Sequence, residues 1–145
     1  MKVVVQRVKH ASCTIDGNLY SSIEQGYLLF VGFTHTDTMK EVSYLAKKIA
    51  GLRVFEDENG KMNLSLKAVG GKILSISQFT LYAETKDGNR PAFINAMKPD
   101  EASKLYDLFN EELRKYDIDV YTGIFGSDMK IEFTNDGPVT IILER

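Results

Sequence analysis

Residues Lys2 to Lys9 alternate apolar and polar side chains, the period of a half-buried β-strand. Ser12 to Asp16 follows in the same manner. Asp16-Gly17-Asn18 reads as a tight turn into Leu19 to Ile23, so the chain opens with a hairpin-rich region. Tyr27 to Phe33 is nearly all apolar, which suits a central strand covered on both faces. The period then changes. From Thr38 to Ala50, Val42, Leu45, Ala46 and Ile49 recur at helical spacing, and Thr38 with Glu41 has the form of a capping box.

Leu52 to Phe55 is a short strand ending in Glu56-Asp57-Glu58-Asn59-Gly60. This acidic run reads as a turn, because a calcium loop begun at Asp57 would need a bidentate acid where Ala68 stands. Gly71 to Ser77 is a further apolar strand. A second helix is expected over Pro99 to Tyr116, with proline in the first turn, Asp100 and Glu101 at the positive end of the dipole, and Leu105, Leu108, Phe109 and Leu113 as its buried stripe. Lys98 stands where a good cap would be placed. Three strands close the chain, near Asp119 to Phe125, Met129 to Asn135 and Val139 to Leu143. Strands interrupted by just two helices predict an α/β protein, a single compact domain of layered mixed β-sheets over residues 1–145.

Composition agrees with that frame. A chain of 145 residues with 43% hydrophobic and 26% charged residues is long enough for one core. Neither a signal-peptide run nor a membrane-length apolar segment is present, which predicts a cytoplasmic protein. The single cysteine, Cys13, excludes an internal disulfide, and its place in an alternating stretch predicts burial rather than nucleophilic work. The formal net charge of −2 argues against a grip on a long stretch of nucleic-acid backbone.

Conventional catalytic apparatus is thin. The two histidines, His10 and His35, lie in the first strand region and in a polar loop, so a Ser-His-Asp or Cys-His arrangement has little to draw on, and a catalytic zinc site is not expected. More informative is Asn135-Asp136-Gly137-Pro138-Val139-Thr140. A Gly-Pro step between two β-like runs is poor ladder, because proline lacks an N–H and glycine costs backbone entropy. It reads either as a hairpin turn or as a rigid cis corner that aims backbone carbonyls. Ser77-Gln78-Phe79-Thr80-Leu81, at the end of an apolar strand, is the other distinctive stretch.

These two stretches resemble the signature motifs of the D-aminoacyl-tRNA deacylase family, formerly the D-tyrosyl-tRNA deacylases. Lys2 to Val8, Arg53-Val54-Phe55, Gly60 to Leu64, Arg90-Pro91 with Phe93, and Thr122-Gly123 with Phe125-Gly126 and Met129 are similar to that family in its order. The resemblance implies a deacylase-type fold and hydrolysis of the ester linking a D-amino acid to the 3′ end of tRNA, without a cofactor or metal. Ser77, Gln78, Phe79 and Thr80 are implied to line the aminoacyl pocket, with backbone N–H groups near Phe79 and Thr80 facing the scissile carbonyl. Gly137 and Pro138 are implied to enter the partner subunit's site as a cis pair that leaves no room for an L side chain. That makes the protein a homodimer with cross-subunit sites. Glycine passes such a filter, so glycyl-tRNA mischarged on tRNA(Ala) is an expected second substrate. Phe125 resembles the position that stacks near the terminal adenine, with Met129 beside it and Thr140 bracing the Gly-Pro motif.

An activated ester can be cleaved by positioning water and stabilising the oxyanion with main chain. Thr80 is the one side-chain nucleophile in the motif, and without a neighbouring base it is weak. Net acidity fits contact with a short RNA end only. Lys86 and Arg90 either approach nearby phosphates or sit in a solvated loop, and neither membrane nor DNA is an expected partner. Two alternatives stay open: a non-catalytic dimer that binds an RNA end or a D-amino acid, and a small-ester hydrolase acting covalently through Thr80.

Overall fold

The computed structural model describes all residues, Met1–Arg145. Its elements are β1 (Lys2–Ile15), β2 (Asn18–Ile23), β3 (Gly26–Gly32), α1 (Met39–Ala50), β4 (Arg53–Glu56), β5 (Met62–Ser65), β6 (Lys72–Ser77), α2 (Pro99–Arg114), β7 (Val120–Thr122) and β8 (Lys130–Glu144), with 3-10 turns at Lys67–Val69 and Phe79–Tyr82. The fold is the expected mixed α/β arrangement. The main sheet runs β2-β1-β3-β6-β7, with β8 also paired to β1, and β4-β5 forms a separate hairpin. β3, β6 and β7 are mutually parallel and the pairings of β1 are antiparallel. Ser21 Oγ on β2 donates to Thr122 O on β7 (2.9 Å), so the sheet curls towards itself. No helix is long and apolar enough to cross a membrane.

Both faces of the sheet are packed. Tyr27, Leu29 and Val31 of β3 join the larger core beneath the helices, whereas Leu28 and the partly buried Phe30 join a smaller core on the other face with Cys13, Leu74 and Ile76. This two-sided burial explains the nearly unbroken apolar run of β3. Cys13 is fully buried, which pushes its thiol pKa up and suits a packing role.

α1 follows its sequence closely. Thr38 Oγ1 accepts from Lys40 N, Glu41 returns a bond to Thr38 N, and Val42, Leu45, Ala46 and Ile49 are all buried. α2 differs from expectation in its buried face. Ala102, Tyr106, Phe109, Asn110 and Leu113 point inward, Leu105 is half-buried, and Leu108 reaches solvent. Polar tips on Tyr106 and Asn110 disguise that face. Lys98 caps the helix without a side-chain bond, and Pro99 at its start supplies no N–H needing one.

Two expectations for the strands are corrected. Lys2 to Lys9 and Ser12 to Asp16 form one strand, β1, whose register against β8 slips between Val8 and His10. The slip reverses the face presented by odd-numbered positions, so Val3 and Val5 meet the larger core whereas Ala11 and Cys13 join Val8 in the smaller. At the chain end, Met129 to Asn135 and Val139 to Leu143 are likewise one strand, β8, and the hairpin reading of Gly137-Pro138 is overturned. Val8 pairs with Asn135 and Gln6 with Thr140, so Asp136 to Val139 leave the ladder as a wide bulge before β8 resumes. β5 was not expected. Its hairpin turn is the acidic run, where Asp57 Oδ1 accepts from Asn59 N and Lys61 N.

Candidate functional site

Parallel strands end on one edge, a common place for a ligand in sheet proteins. Here the carboxyl ends of β3 and β6 open into a cavity of about 630 Å³. Its first wall is Val31, Gly32, Ser77, Gln78 and Phe79; its second is the loop after β7, with Phe125 and Met129, and Ile131 at the start of β8; its third is the approach to α2 and its first turn, from Phe93 to Ala102. Phe79 and Phe93 meet edge to face at the mouth, centroids 4.9 Å apart, although Phe79 is 57% exposed. Large apolar rings left in water at a cavity mouth suit a ligand with flat or apolar parts.

The first wall is mainly main chain. Gln78 N donates to Val31 O (2.7 Å), continuing the ladder one step past β6. A side chain on Gly32 would come within 2.9 Å of Gln78 O, so glycine lets the turn lie against β3. The first internal bond of the 3-10 turn is Leu81 N to Gln78 O. The N–H groups of Phe79 and Thr80 precede it and have no acceptor within the turn. Two adjacent donors at the rim of an apolar cavity can receive a developing oxyanion.

The side chains on this wall are less obviously reactive. Thr80 is exposed, does not line the cavity, and its hydroxyl accepts a bond from Gln78 Nε2. The ionisable residues lining the cavity are Lys98 and Asp128, and Asp128 pairs with Lys130 at 2.8 Å. Neither histidine is there. His10 lies on β1, and the Nε2 of His35 is 2.7 Å from Ile94 O, tying down the loop that carries Phe93. No cluster of three or more His, Cys, Asp or Glu side chains comes together anywhere. Lys86 is exposed and 3.7 Å from Glu84, and Arg90 is exposed in the same loop.

Behind the second wall lies a buried polar group. Tyr106 Oη donates to Ser75 O (2.7 Å), and burial pushes the phenol pKa up to about 12, so it remains a donor at neutral pH. Ser75 O also accepts from Gly123 N (3.3 Å). Ser75 Oγ and Asn110 Oδ1 have no partner. Gly123 has no spare room, since a Cβ there would strike Met129 Sδ and approach Ile76 and Cys13.

The Gly137-Pro138 bulge is elsewhere. Its peptide bond is cis, both residues are exposed, and neither they nor Thr140 line this chain's cavity. Arg7, on β1 beneath it, is buried. Its Nε donates to Asp136 O (3.0 Å) and its Nη1 to Val54 O (2.6 Å), while the Asp136 carboxylate lies 3.6 Å from Nε and 3.9 Å from Lys9 Nζ. Asn135 Nδ2 bridges Arg7 O and Val139 O across the neck of the bulge. Thr140 Oγ1 donates to Gln6 Oε1. The bulge is therefore braced from within, with its tip turned to solvent.

Of the residues expected at a site, Ser77, Gln78, Phe79, Phe125 and Met129 come together, whereas Thr80, Gly137, Pro138 and Thr140 do not. Sequence reasoning missed Phe33, Met97, Ala102 and Asp128 on the walls and Arg7 under the bulge. A lone arginine in an apolar alternation was the available signal for Arg7. Fold and site thus define a small mixed α/β protein with a main-chain-walled cavity at the carboxyl ends of parallel strands. The family model described as D-Tyr-tRNA(Tyr) deacylase matches residues 4–144, and the chain belongs to that family of hydrolases.

Named relatives agree. A D-aminoacyl-tRNA deacylase of Exiguobacterium sibiricum is 59% identical over 145 residues, covering 100% of both chains. One from Bacillus cytotoxicus is 56% identical over 144 residues, covering 99% of each. Among solved structures, a c-Myc DNA unwinding element binding protein superposes with a TM-score of 0.93 at 43% identity, covering 100% of this chain and 99% of that one. A probable eukaryotic D-amino acid tRNA deacylase superposes with a TM-score of 0.85 over 98% of this chain and 97% of that one; at 17% identity it speaks to the fold alone.

Proposed function

We propose that residues 1–145 act as one D-aminoacyl-tRNA deacylase unit, with the acylated 3′ end of the RNA in the cavity between Ser77–Phe79 and Phe125–Met129. The observation that carries this reading is the 3-10 turn that follows the cavity's first wall, whose leading N–H groups, on the cavity-lining Phe79 and on Thr80, have no acceptor within the turn. Water adds to the ester carbonyl, the negative oxygen is held by those donors, the carbon–oxygen bond to the ribose breaks, and the ribose oxygen takes a proton. The products are a free D-amino acid and tRNA. Phe125 stacks on the terminal adenine, with Met129 beside it.

Chirality is set from outside the chain. The exposed Gly137-Pro138 tip enters the cavity of a second copy, where its carbonyls meet the substrate's amino group and exclude an L side chain. A two-fold homodimer then has two composite sites. Glycine, which has no side chain, passes, so glycyl-tRNA mischarged on tRNA(Ala) is a second substrate. Thr80 helps set the wall through its bond with Gln78 and forms no covalent intermediate.

The test is release of amino acid from matched D-aminoacyl-, glycyl- and L-aminoacyl-tRNA, with Thr80→Ala alongside. The reading predicts loss of the D and glycyl esters, sparing of the L ester, and a change of less than about threefold in the variant, because no nucleophile is removed. No turnover of any ester would leave a binding module. Turnover abolished in a folded Thr80→Ala protein would return the mechanism to that hydroxyl.

A further inference from the structure

The polar group behind the second wall is unusual for its depth. Ser75 is fully buried, Asn110 is 2% exposed and Tyr106 is 3% exposed, against the aliphatic and aromatic side chains of the core. Buried polar atoms without partners are costly, and Ser75 Oγ and Asn110 Oδ1 are two of them. Two contacts converge on the Ser75 carbonyl. It receives the Tyr106 hydroxyl from α2 at 2.7 Å and the Gly123 N–H from the loop after β7 at 3.3 Å.

That carbonyl sits between the cavity's two walls. Two residues further along, β6 delivers Ser77 and then Gln78 and Phe79; two residues beyond Gly123 stands Phe125. The Tyr106 ring also faces Phe125, with centroids 6.0 Å apart and planes inclined at 50°. One phenol thus touches the strand that forms the first wall and the ring that forms the second.

The geometry points to Tyr106 as a positioning residue that holds the two walls of the cavity at a fixed separation through the Ser75 carbonyl, and so sets affinity for the nucleoside end of the substrate. Tyr106 does not line the cavity and touches no reacting atom. Its effect falls on binding of the RNA end, whereas the oxyanion donors at Phe79 and Thr80, one turn away, keep their geometry. The inference rests on the deacylase reading of this cavity and adds a residue to it. It also separates two groups on one residue: the Ser75 carbonyl is used and the Ser75 hydroxyl is not.

The experiment compares wild type, Tyr106→Phe and Ser75→Ala, each checked for folding by urea titration. The probe is an amide-linked D-alanyl adenosine, a non-hydrolysable copy of the acylated end, titrated calorimetrically. Tyr106→Phe should weaken its binding about fivefold, the usual weight of one hydrogen bond, while Ser75→Ala, which loses an unpartnered hydroxyl, stays within about twofold of wild type. In turnover of D-aminoacyl-tRNA the same factor should appear in KM, with kcat unchanged. Tyr106→Met, of similar bulk and without a hydroxyl, replaces the phenylalanine variant if that one does not fold.

Wild-type affinity in a folded Tyr106→Phe protein would overturn the inference, as would a fall in kcat at constant KM. Equal weakening by Ser75→Ala would also overturn it, because general loosening of the core would then suffice. A wild-type protein that binds the probe but cleaves no ester would sink the deacylase reading and still let the three affinities decide on Tyr106. A wild-type protein that binds no probe would count against both.

Discussion

Ser77–Thr80 and Asn135–Thr140 are both short stretches of mixed polarity beside an apolar strand, yet the molecule uses them oppositely. The first completes its own chain's cavity: it leaves β6, stays hydrogen-bonded to β3 and begins a 3-10 turn whose first two N–H groups have no acceptor within the turn. The second interrupts β8, is fastened underneath by Arg7 and Asn135, and turns its Gly137-Pro138 tip to solvent. This contrast is the one on which the proposed division of the site between chains depends, with chemistry on one side and selection on the other.

The largest effect should come from the bulge. Gly137 has φ of +128°, and a Cβ there would lie 2.9 Å from Val139 Cγ2 and 3.1 Å from Arg7 Nη2. Gly137→Ala should therefore displace the tip and reduce D-aminoacyl-tRNA turnover by about a hundredfold or more, since small misplacements at a site are that costly. Circular dichroism should show an intact fold. If turnover persists at the wild-type rate, the bulge is not part of the site.

A smaller effect belongs to the cavity wall. Gly123→Ala forces Met129 to move, an overpacking cost of about 1–3 kcal/mol in a urea titration. KM should rise by about tenfold as the wall shifts, with L-ester rejection unchanged under the proposed placement of selection in the other region. Relaxed chirality in this variant would erase the distinction between the two regions.

Least affected should be a position remote from both. Thr38→Ala removes the α1 cap and should cost about 1 kcal/mol of stability with activity unaltered. Hydrogen bonds from Thr38 hold the Glu41 carboxylate below its usual range. A lowered folded pKa gives stabilisation that is present above the unfolded carboxylate pKa and lost as pH falls through the folded value. The gap between wild type and variant should therefore narrow under acidic conditions and hold steady at neutral pH, as thermal melts across that range would reveal.

Legibility in the sequence followed the range of the interactions involved. α1 was readable because cap, period and buried face are all local. The Ser77–Phe79 wall was readable as a strand end, and the family resemblance marked it. β8 was misread because local rules end a strand at Gly-Pro, whereas pairing with β1 on both sides of the bulge restarts it. Arg7 was passed over because a polar residue in an alternating strand normally faces water; here two backbone carbonyls accept its charge-assisted bonds inside the protein. Phe33, Met97 and Ala102 reach the cavity from separate elements, and no local pattern announces that meeting.

The division of the site can be tested by mixing two damaged proteins. Phe79→Pro deletes one proposed oxyanion donor at the first position of the 3-10 turn, where proline is tolerated, and leaves the bulge whole. Gly137→Ala leaves the cavity whole. Each alone should be nearly inactive on D-aminoacyl-tRNA. After equimolar mixing and subunit exchange, half the dimers carry one sound cavity facing one sound bulge, so activity should return to about a quarter of wild type. A mixture no more active than its separate components would contradict a site shared between two chains.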